Sequence, residues 1–422
     1  MKFKNLKDAQ AWIESVIRFT DKFDLSRMEK AVKMLGHPEQ AVPTIHIGGT
    51  NGKGSTLQFL KRILMASGYT VGSYTSPYVV KFNERIAIDD TPIDDRDLLH
   101  YINIIYDFQA TYLEMYNDQI SFFELLTLIS FLYFKDKSPD VVLYEVGLGG
   151  TLDATNVIAP ELAIITSIGH DHMHILGDTL EKVAKQKLGI VKKGVPLATG
   201  ITQDFLKPVF ISYTNEIKSP LYLLSDHPIK AYTPGPPTTF VHDHEPYAIH
   251  AEGAYQVRNA RLALLASDVL NRHTDFTVPN HAKKRGLSEV AMPGRFERIG
   301  NTILDGAHNP EGIEAGIETL KTYDDDTKVT VLFSVMKDKE YATMIKDLKA
   351  IASSMVFTQI DMPRALEAND LLNLCGEIPC QVEKDYKRAY EKALDLAGDG
   401  ILYACGSLYF ISALRQHITN QS

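Results

Sequence analysis

The run Gly48-Gly-Thr-Asn-Gly-Lys-Gly-Ser55 has the residue types that hold phosphate. Glycines let backbone N–H groups turn toward an anion, a following helix adds the partial positive charge of its N-terminus, and Lys53 supplies a point charge for the outer phosphates. Ser55 is then placed to face Mg2+. The run departs from the common G-x-x-x-x-G-K-[ST] pattern, because Gly54 separates Lys53 from Ser55 and only three residues lie between Gly48 and Gly52. Glu145 ends the apolar run Val141-Val-Leu-Tyr-Glu and precedes Gly147-Leu-Gly-Gly150, a place where a carboxylate can coordinate magnesium. Gly169-His-Asp-His-Met-His174 puts His170, Asp171, His172 and His174 together on one loop. Three histidines and an aspartate suit zinc or iron, but this spacing is unspecific, so one metal ligand is expected and the rest are read as surface. Lys182, Lys185, Lys187 and Lys192 read as a basic solvated helix face.

These groups need elements to place them. Thr44-Ile-His-Ile is a strand running into the glycine-rich turn, and Thr56 to Ala66 resumes helical spacing, which makes the start of a βαβ unit. Further β-rich runs at Val71–Thr75, Val141–Val146, Leu162–Ser167 and Pro196–Thr199 alternate with helical stretches. The opening residues are helical in pattern, with Trp12, Ile13, Val16 and Ile17 sharing a face, and Ser121 to Phe134 is a buried helix. Such alternation implies an α/β fold with a mainly parallel sheet. In that fold Glu145 and the histidine loop lie on the rim of the phosphate loop, where open α/β sheets bind ligands. The pattern weakens from Ile201 to Ala254, where Thr233-Pro-Gly-Pro-Pro-Thr is a turn between irregular strands. A second series then runs through strands Thr302–Leu304, Lys328–Phe333, Ser354–Thr358 and Ile401–Ala404 and helices Gly312–Tyr323, Tyr341–Ile351 and Lys384–Ala397, closing on a C-terminal helix. The boundary is placed at Pro293-Gly294, giving domains 1–293 and 294–422.

At 422 residues the chain is long enough for two or three domains, and 45% hydrophobic with 23% charged residues excludes wholesale disorder. Lys+Arg 44 against Asp+Glu 53 gives a net charge of −9, which argues against nucleic acid or an anionic membrane as the main partner. The longest apolar stretch falls short of the ~20 residues of a membrane span, and the first residues lack a signal-peptide core, so a cytoplasmic protein is expected. Cys375, Cys380 and Cys405 are read as small buried hydrophobes, with no disulfide framework and no zinc site.

The ordered set of motifs resembles the folylpolyglutamate synthase and dihydrofolate synthase family of the Mur ligase superfamily. The matching runs are Gly49-Thr-Asn-Gly-Lys-Gly-Ser55, Thr75-Ser-Pro-Tyr78 with Phe82-Asn-Glu-Arg-Ile86, Glu145-Val-Gly-Leu-Gly-Gly150 with Leu152-Asp-Ala-Thr-Asn156, Asp171-His172 and Lys187-Leu-Gly-Ile190. They continue with Tyr255-Gln256, Asn259, Pro293-Gly-Arg-Phe-Glu297, Asp305-Gly-Ala-His-Asn-Pro310, Asp338-Lys339, Pro363-Arg364-Ala365 and Gly406-Ser-Leu-Tyr409. The resemblance implies a P-loop Mur-ligase-like ATPase domain plus a smaller Rossmann-like α/β C-terminal domain. It implies that ATP and Mg2+ phosphorylate a folate or pteroate carboxylate, that the amine of L-glutamate attacks the acyl phosphate, and that ADP and phosphate leave.

Carried residue by residue, the resemblance implies that Thr50, Asn51, Gly52, Lys53, Gly54 and Ser55 hold the phosphates, with Asn259, Arg295, Asp305 and His308 holding ATP from the other side. Ser55, Ser76, Glu145 and His172 would be ligands for two magnesium ions. Lys53, Lys187 and His172 would be catalytic, Lys187 as a carbamylated lysine. Ser76, Tyr78, Phe82, Arg85 and Phe122 or Phe123 would contact the folate, and Arg364 and Ser407 the incoming glutamate. A monomer acting on small molecules is implied. Thr151 stands where the family often has arginine, His170 where a smaller residue is common, and Phe333-Ser-Val-Met336 differs from the usual glycine-containing stretch. The closest rival is dihydrofolate synthesis, alone or in the same site. A cell-wall precursor ligase is disfavoured by Asp305-Gly-Ala-His-Asn-Pro310, and a nucleotide-gated binding module by the joint presence of Glu145, His172 and Arg295.

Overall fold

The computed structural model describes residues 2–17, 24–78, 81–324 and 327–420. Its first sheet has eight strands in the order β4-β3-β2-β5-β1-β6-β7-β8. These are β1 (Thr44–Gly48), β2 (Val71–Tyr74), β3 (Ile86–Ile88), β4 (Thr91–Pro92), β5 (Val141–Glu145), β6 (Leu162–Ile165), β7 (Leu197–Thr199) and β8 (Leu221–Leu223). All pairings from β2 to β8 are parallel, and β3 and β4 add an antiparallel edge. The central strands are apolar because helices cover both faces. On one side Ile45, Ile47 and Leu143 pack with Leu60 and Leu264; on the other Tyr74 and Tyr144 meet Leu128 and Phe131. Of the polar side chains in β1, Thr44 and His46, the latter is wholly buried and bonds through Nε2 to Thr155 Oγ1 at 2.8 Å.

A three-stranded antiparallel sheet follows, β9 (Tyr232–Thr233), β10 (Thr238–His242) and β11 (Glu245–Ile249), with the proline-rich turn joining its first two strands. The third sheet has the order β12-β13-β17-β14-β15-β16 and is parallel except for its edge strand β12. Its strands are β12 (Arg295–Ile299), β13 (Thr302–Asp305), β14 (Val329–Phe333), β15 (Ala352–Gln359), β16 (Cys380–Asp385) and β17 (Ile401–Cys405). Helices Pro310–Leu320 and Tyr341–Leu348 pack on one face, and Tyr386–Ala397 and Leu408–Thr419 on the other.

Several local expectations are corrected. The first helix ends at Ser15, so Val16 and Ile17 leave its face and Ile17 is exposed. The weak region contains a helix, Lys207–Glu216, whose buried side chains are few. Lys384 lies on β16, and the helix begins at Tyr386 after Asp385 caps it. Cys375 and Cys380 form a disulfide, because the turn at Gly376, with φ +65°, brings their Cα atoms to 6.2 Å; Cys405 is buried and free. Helix Phe122–Lys137 starts on a capping box in which Ser121 N–H donates to Glu124 Oε2 at 2.7 Å. Among the described residues no helix is long and apolar enough to cross a membrane.

Candidate active site

β5, β1 and β6 are neighbours in the sheet, so the loops at their C-terminal ends lie side by side. The β1 loop carries Gly49 to Gly52 into helix Lys53–Ala66. Gly49 has φ +143°, and a Cβ there would lie 1.9 Å from Thr166 Oγ1; Gly52 has φ +85°, and a Cβ there would lie 2.4 Å from Asn259 Oδ1. Both positions therefore demand glycine. The loop is tied to the β6 loop: Thr50 N–H donates to Ser167 O at 2.9 Å, Asn51 N–H donates to Ser167 Oγ at 2.9 Å, and Thr166 Oγ1 donates to Asn51 O at 2.6 Å. Lys53 Nζ donates to Gly49 O at 3.1 Å and Thr50 O at 3.2 Å. Desolvation holds the Lys53 ammonium below the usual lysine range, against Glu145 and Asp171, which raise it.

Glu145 is buried and accepts from Ser76 N–H at 3.2 Å; a Cβ on Gly54 would come within 3.8 Å of its carboxylate. Burial pushes its pKa up, with Lys53 the largest opposing influence. Ser55 is buried at the start of the same helix. Asp153, unassigned in the sequence reading, shapes the glycine loop after β5 by accepting from Leu148 N–H at 2.8 Å and Thr155 N–H at 3.0 Å.

Lys187 is corrected from the solvated basic face. Its helix, Leu180–Leu188, packs closely enough on Gly150 that a Cβ there would lie 3.0 Å from Lys187 Cα, and the side chain is buried. Burial, then the Lys53 charge, lowers its pKa to about 7. Lys192 also leaves that face, donating to Asn156 O and Oδ1 at 2.8 Å.

The histidine loop divides. His170 is half exposed and its N–H donates to Glu311 Oε1 at 2.7 Å. Asp171 pairs with Lys339 Nζ at 2.6 Å, and the same ammonium lies 3.4 Å from His172 Nε2. The side chain of His174 lies outside the described residues. Among these, the grouping of three metal-ligating side chains is elsewhere, at His227, His242 and Asp243. There Arg261 Nε donates to His242 Nδ1 at 3.4 Å, which leaves the proton on the nitrogen that faces Asp243, so no cation site is built.

The second sheet series supplies the facing wall. Asp305 ends β13 and accepts from Tyr403 OH at 2.9 Å; burial raises its pKa to about 6, against Tyr403 and Arg295. His308 Nδ1 lies 2.8 Å from Gly306 O and its pKa falls to about 4, chiefly by desolvation. Asn259 Nδ2 donates to Gln256 Oε1 at 3.0 Å. At one end of the cleft the Arg85 guanidinium lies 5.2, 5.6 and 5.9 Å from the ring centroids of Tyr78, Phe82 and Phe122, while Phe123 packs against Gly147. Arg364 pairs with Asp338 through both carboxylate oxygens at 3.0 and 3.1 Å, and Ser407 caps helix Leu408–Thr419.

Every residue that the resemblance assigns to a site lines one cleft of about 2190 Å³, together with Arg27, Arg258, Glu311 and Lys339, which it left without a role; His170, Lys182, Lys185 and Lys192 are outside that lining. Lys339 was visible in the sequence only as part of Asp338-Lys339; its partner Asp171 stands 168 positions away.

A phosphate loop facing a second α/β wall is the arrangement of Mur ligases, and the Mur ligase middle domain matches residues 47–266 and the Mur ligase glutamate ligase domain residues 294–407. The dihydrofolate synthase/folylpolyglutamate synthase of Bacillus subtilis is 37% identical over 99% of this chain and 100% of its own length. A folylpolyglutamate synthase from Mycobacterium tuberculosis complexed with ADP superposes with TM-score 0.90 at 26% identity, covering 98% of each chain. A solved FPGS–AMPPCP–folate complex has TM-score 0.87 at 30% identity, covering 98% of this chain and 99% of that one. The chain belongs to the folylpolyglutamate synthase/dihydrofolate synthase family of Mur-type, ATP-dependent ligases.

Proposed function

We propose that the chain adds L-glutamate to the γ-carboxylate of (tetrahydro)folate polyglutamates through an acyl phosphate, with release of ADP and phosphate. The observation that carries this reading is one cleft with a phosphate loop and buried carboxylate at its centre, nucleotide-type polar groups opposite, and an aromatic cage around Arg85 at its far end. Residues 1–293 form the ATPase and folate-binding domain, and 294–422 the glutamate-ligase domain. The cleft is built from one chain, consistent with a monomer, and a cytoplasmic enzyme is proposed.

Carboxylate oxygen is a poor leaving group and phosphate a good one, so the reaction needs two anions held in line with their repulsion offset. Thr50 to Ser55 receive the phosphates, with Lys53 on the group in transfer. Asn259, Arg295, Asp305 and His308 hold the nucleotide, Arg295 at the phosphates. Tyr78, Phe82, Arg85, Phe122 and Phe123 take the folate, and Arg364 and Ser407 the incoming glutamate. The oxygen-rich set Ser55, Ser76 and Glu145 suits Mg2+, and the raised pKa of buried Glu145 marks a carboxylate that gains from a cation beside it. His172 would complete two such sites, and bound Mg2+ supplies positive charge to the phosphate oxygens. Lys187, with a pKa about 7, offers enough neutral amine to react with CO2 to a carbamate and release a proton, which turns a cation in the cleft into an anion.

Dihydrofolate synthesis is the second reading, supported by the double name of the Bacillus relative. Phosphate release by purified enzyme with dihydropteroate, tetrahydrofolate and methylene-tetrahydrofolate, each with glutamate, decides between them. Turnover with dihydropteroate alone would overturn the first reading, and ADP formation independent of glutamate and acceptor would overturn both.

A further inference from the structure

The phosphate loop and the second α/β unit meet through a matched pair of amides. Asn51 Nδ2 donates to Asn309 Oδ1 at 3.1 Å, and Asn309 Nδ2 donates back to Asn51 Oδ1 at 3.0 Å, across 258 positions of sequence. Neither amide is loose. Asn309 is buried and caps helix Pro310–Leu320, its Oδ1 accepting Gly312 N–H at 2.9 Å. That bond decides which end of the amide is oxygen, so the nitrogen is the end presented to Asn51 Oδ1. Asn51 is fixed in turn by its own backbone: its N–H is held by Ser167 Oγ and its carbonyl by Thr166 Oγ1 and Ser167 Oγ. Asn309 directly follows His308 and lies four residues beyond Asp305, so a shift of Asn309 shifts the wall that carries both.

We propose that Asn309 is a positioning residue for the ligation: its capped amide grips Asn51 and sets the register of the nucleotide-facing wall against the phosphate loop. This rests on the ligase reading above. Capping alone asks only for an oxygen at this position, and Ser or Asp provides one. The second function needs an amide long enough to reach Asn51 and able both to donate and to accept, which asparagine provides and serine does not. In-line phosphoryl transfer between groups held by opposite walls is sensitive to misplacement of about 1 Å, so loss of the grip reaches turnover before it reaches binding.

Asn309→Ser keeps a capping oxygen and removes the grip, whereas Asn309→Ala removes both. Assays are run well below the Tm of either variant, so that turnover reports folded enzyme. Asn309→Ser is expected to keep Tm within about 2 °C of wild type, to lower kcat about tenfold or more, and to change the KM for ATP by less than about threefold. Asn309→Ala is expected to lose the same turnover and to melt earlier. A wild-type kcat in Asn309→Ser, with the defect confined to Asn309→Ala, assigns the side chain to capping and overturns the proposal. The wild-type enzyme in the same assay separates the two levels. If it releases no glutamate-dependent phosphate, the ligase reading falls and takes this inference with it. If it is active and Asn309→Ser equals it, only this inference falls.

Discussion

Lys187 and Asp305 are both taken out of water, and in each case burial is the largest influence on the proton. For Lys187 the result is an amine partly neutral at pH 7, the state that reacts with CO2. Lys187→Ala is expected to lose most of the activity and to regain part of it with added short carboxylates; an unaffected variant would end the carbamate role. For Asp305 the sign runs the other way. The carboxyl is protonated below about pH 6 and charged above it. The KM for ATP should therefore rise as pH falls from about 7 to 5, and Asp305→Asn should flatten that dependence while raising KM throughout. A wild-type profile in that variant would remove Asp305 from nucleotide binding. Lys53 and Glu145 were legible as chemistry because glycines and an apolar run frame them, whereas Asp305 came only from the resemblance. Spacing alone misplaced Lys187, because neighbouring lysines read as a solvated face; the resemblance placed it in the cleft, and its helix packs closely against Gly150.

At the scale of elements, the site depends on three neighbouring strands. β5, β1 and β6 lie about 4.8 Å apart, so loops at their ends fall within the reach of one triphosphate. At Gly49 the β1 loop runs directly against the β6 loop. Gly49→Ala is expected to lower kcat/KM for ATP by about two orders of magnitude, because the new Cβ collides with Thr166 Oγ1 and presses on the backbone nitrogens of Thr166 and Ser167 at 3.0 and 3.1 Å. Adding Thr166→Ala relieves only the hydroxyl clash, so rescue should be partial; full rescue, or a fully active single variant, would refute the steric account. The alternating strands and helices were legible because their hydrophobic periods are strong. Helix Lys207–Glu216 was not, since only Phe210 and Thr214 of it are buried, and neither was β16, an edge strand whose Cys-Gln-Val-Glu-Lys-Asp sequence reads as polar. The resemblance had found the family, but the disulfide between Cys375 and Cys380 depends on a turn that spacing did not reveal.

For the whole molecule, two sheets that share no strand face each other across one cleft, and a net charge of −9 does not prevent anion binding because the cations are local. Lys53, Arg85, Arg295 and Lys339 all line that cleft. The order of motifs along the chain was legible, and with it the two-part plan. The bonds across the cleft were not: Asn51 to Asn309, His170 to Glu311 and Asp171 to Lys339 join residues far apart in sequence, whose meeting depends on both units being folded. This arrangement also has a consequence for the chain as it is made. The eight-stranded sheet is complete at Leu223, before any residue of the facing wall has been synthesised, and at about 5–20 residues per second Asn309 follows roughly ten seconds later. During that interval the ribosome carries a phosphate loop without Arg295, Asp305 or His308, the groups proposed to hold the nucleotide, and without Leu264, which packs on the first sheet.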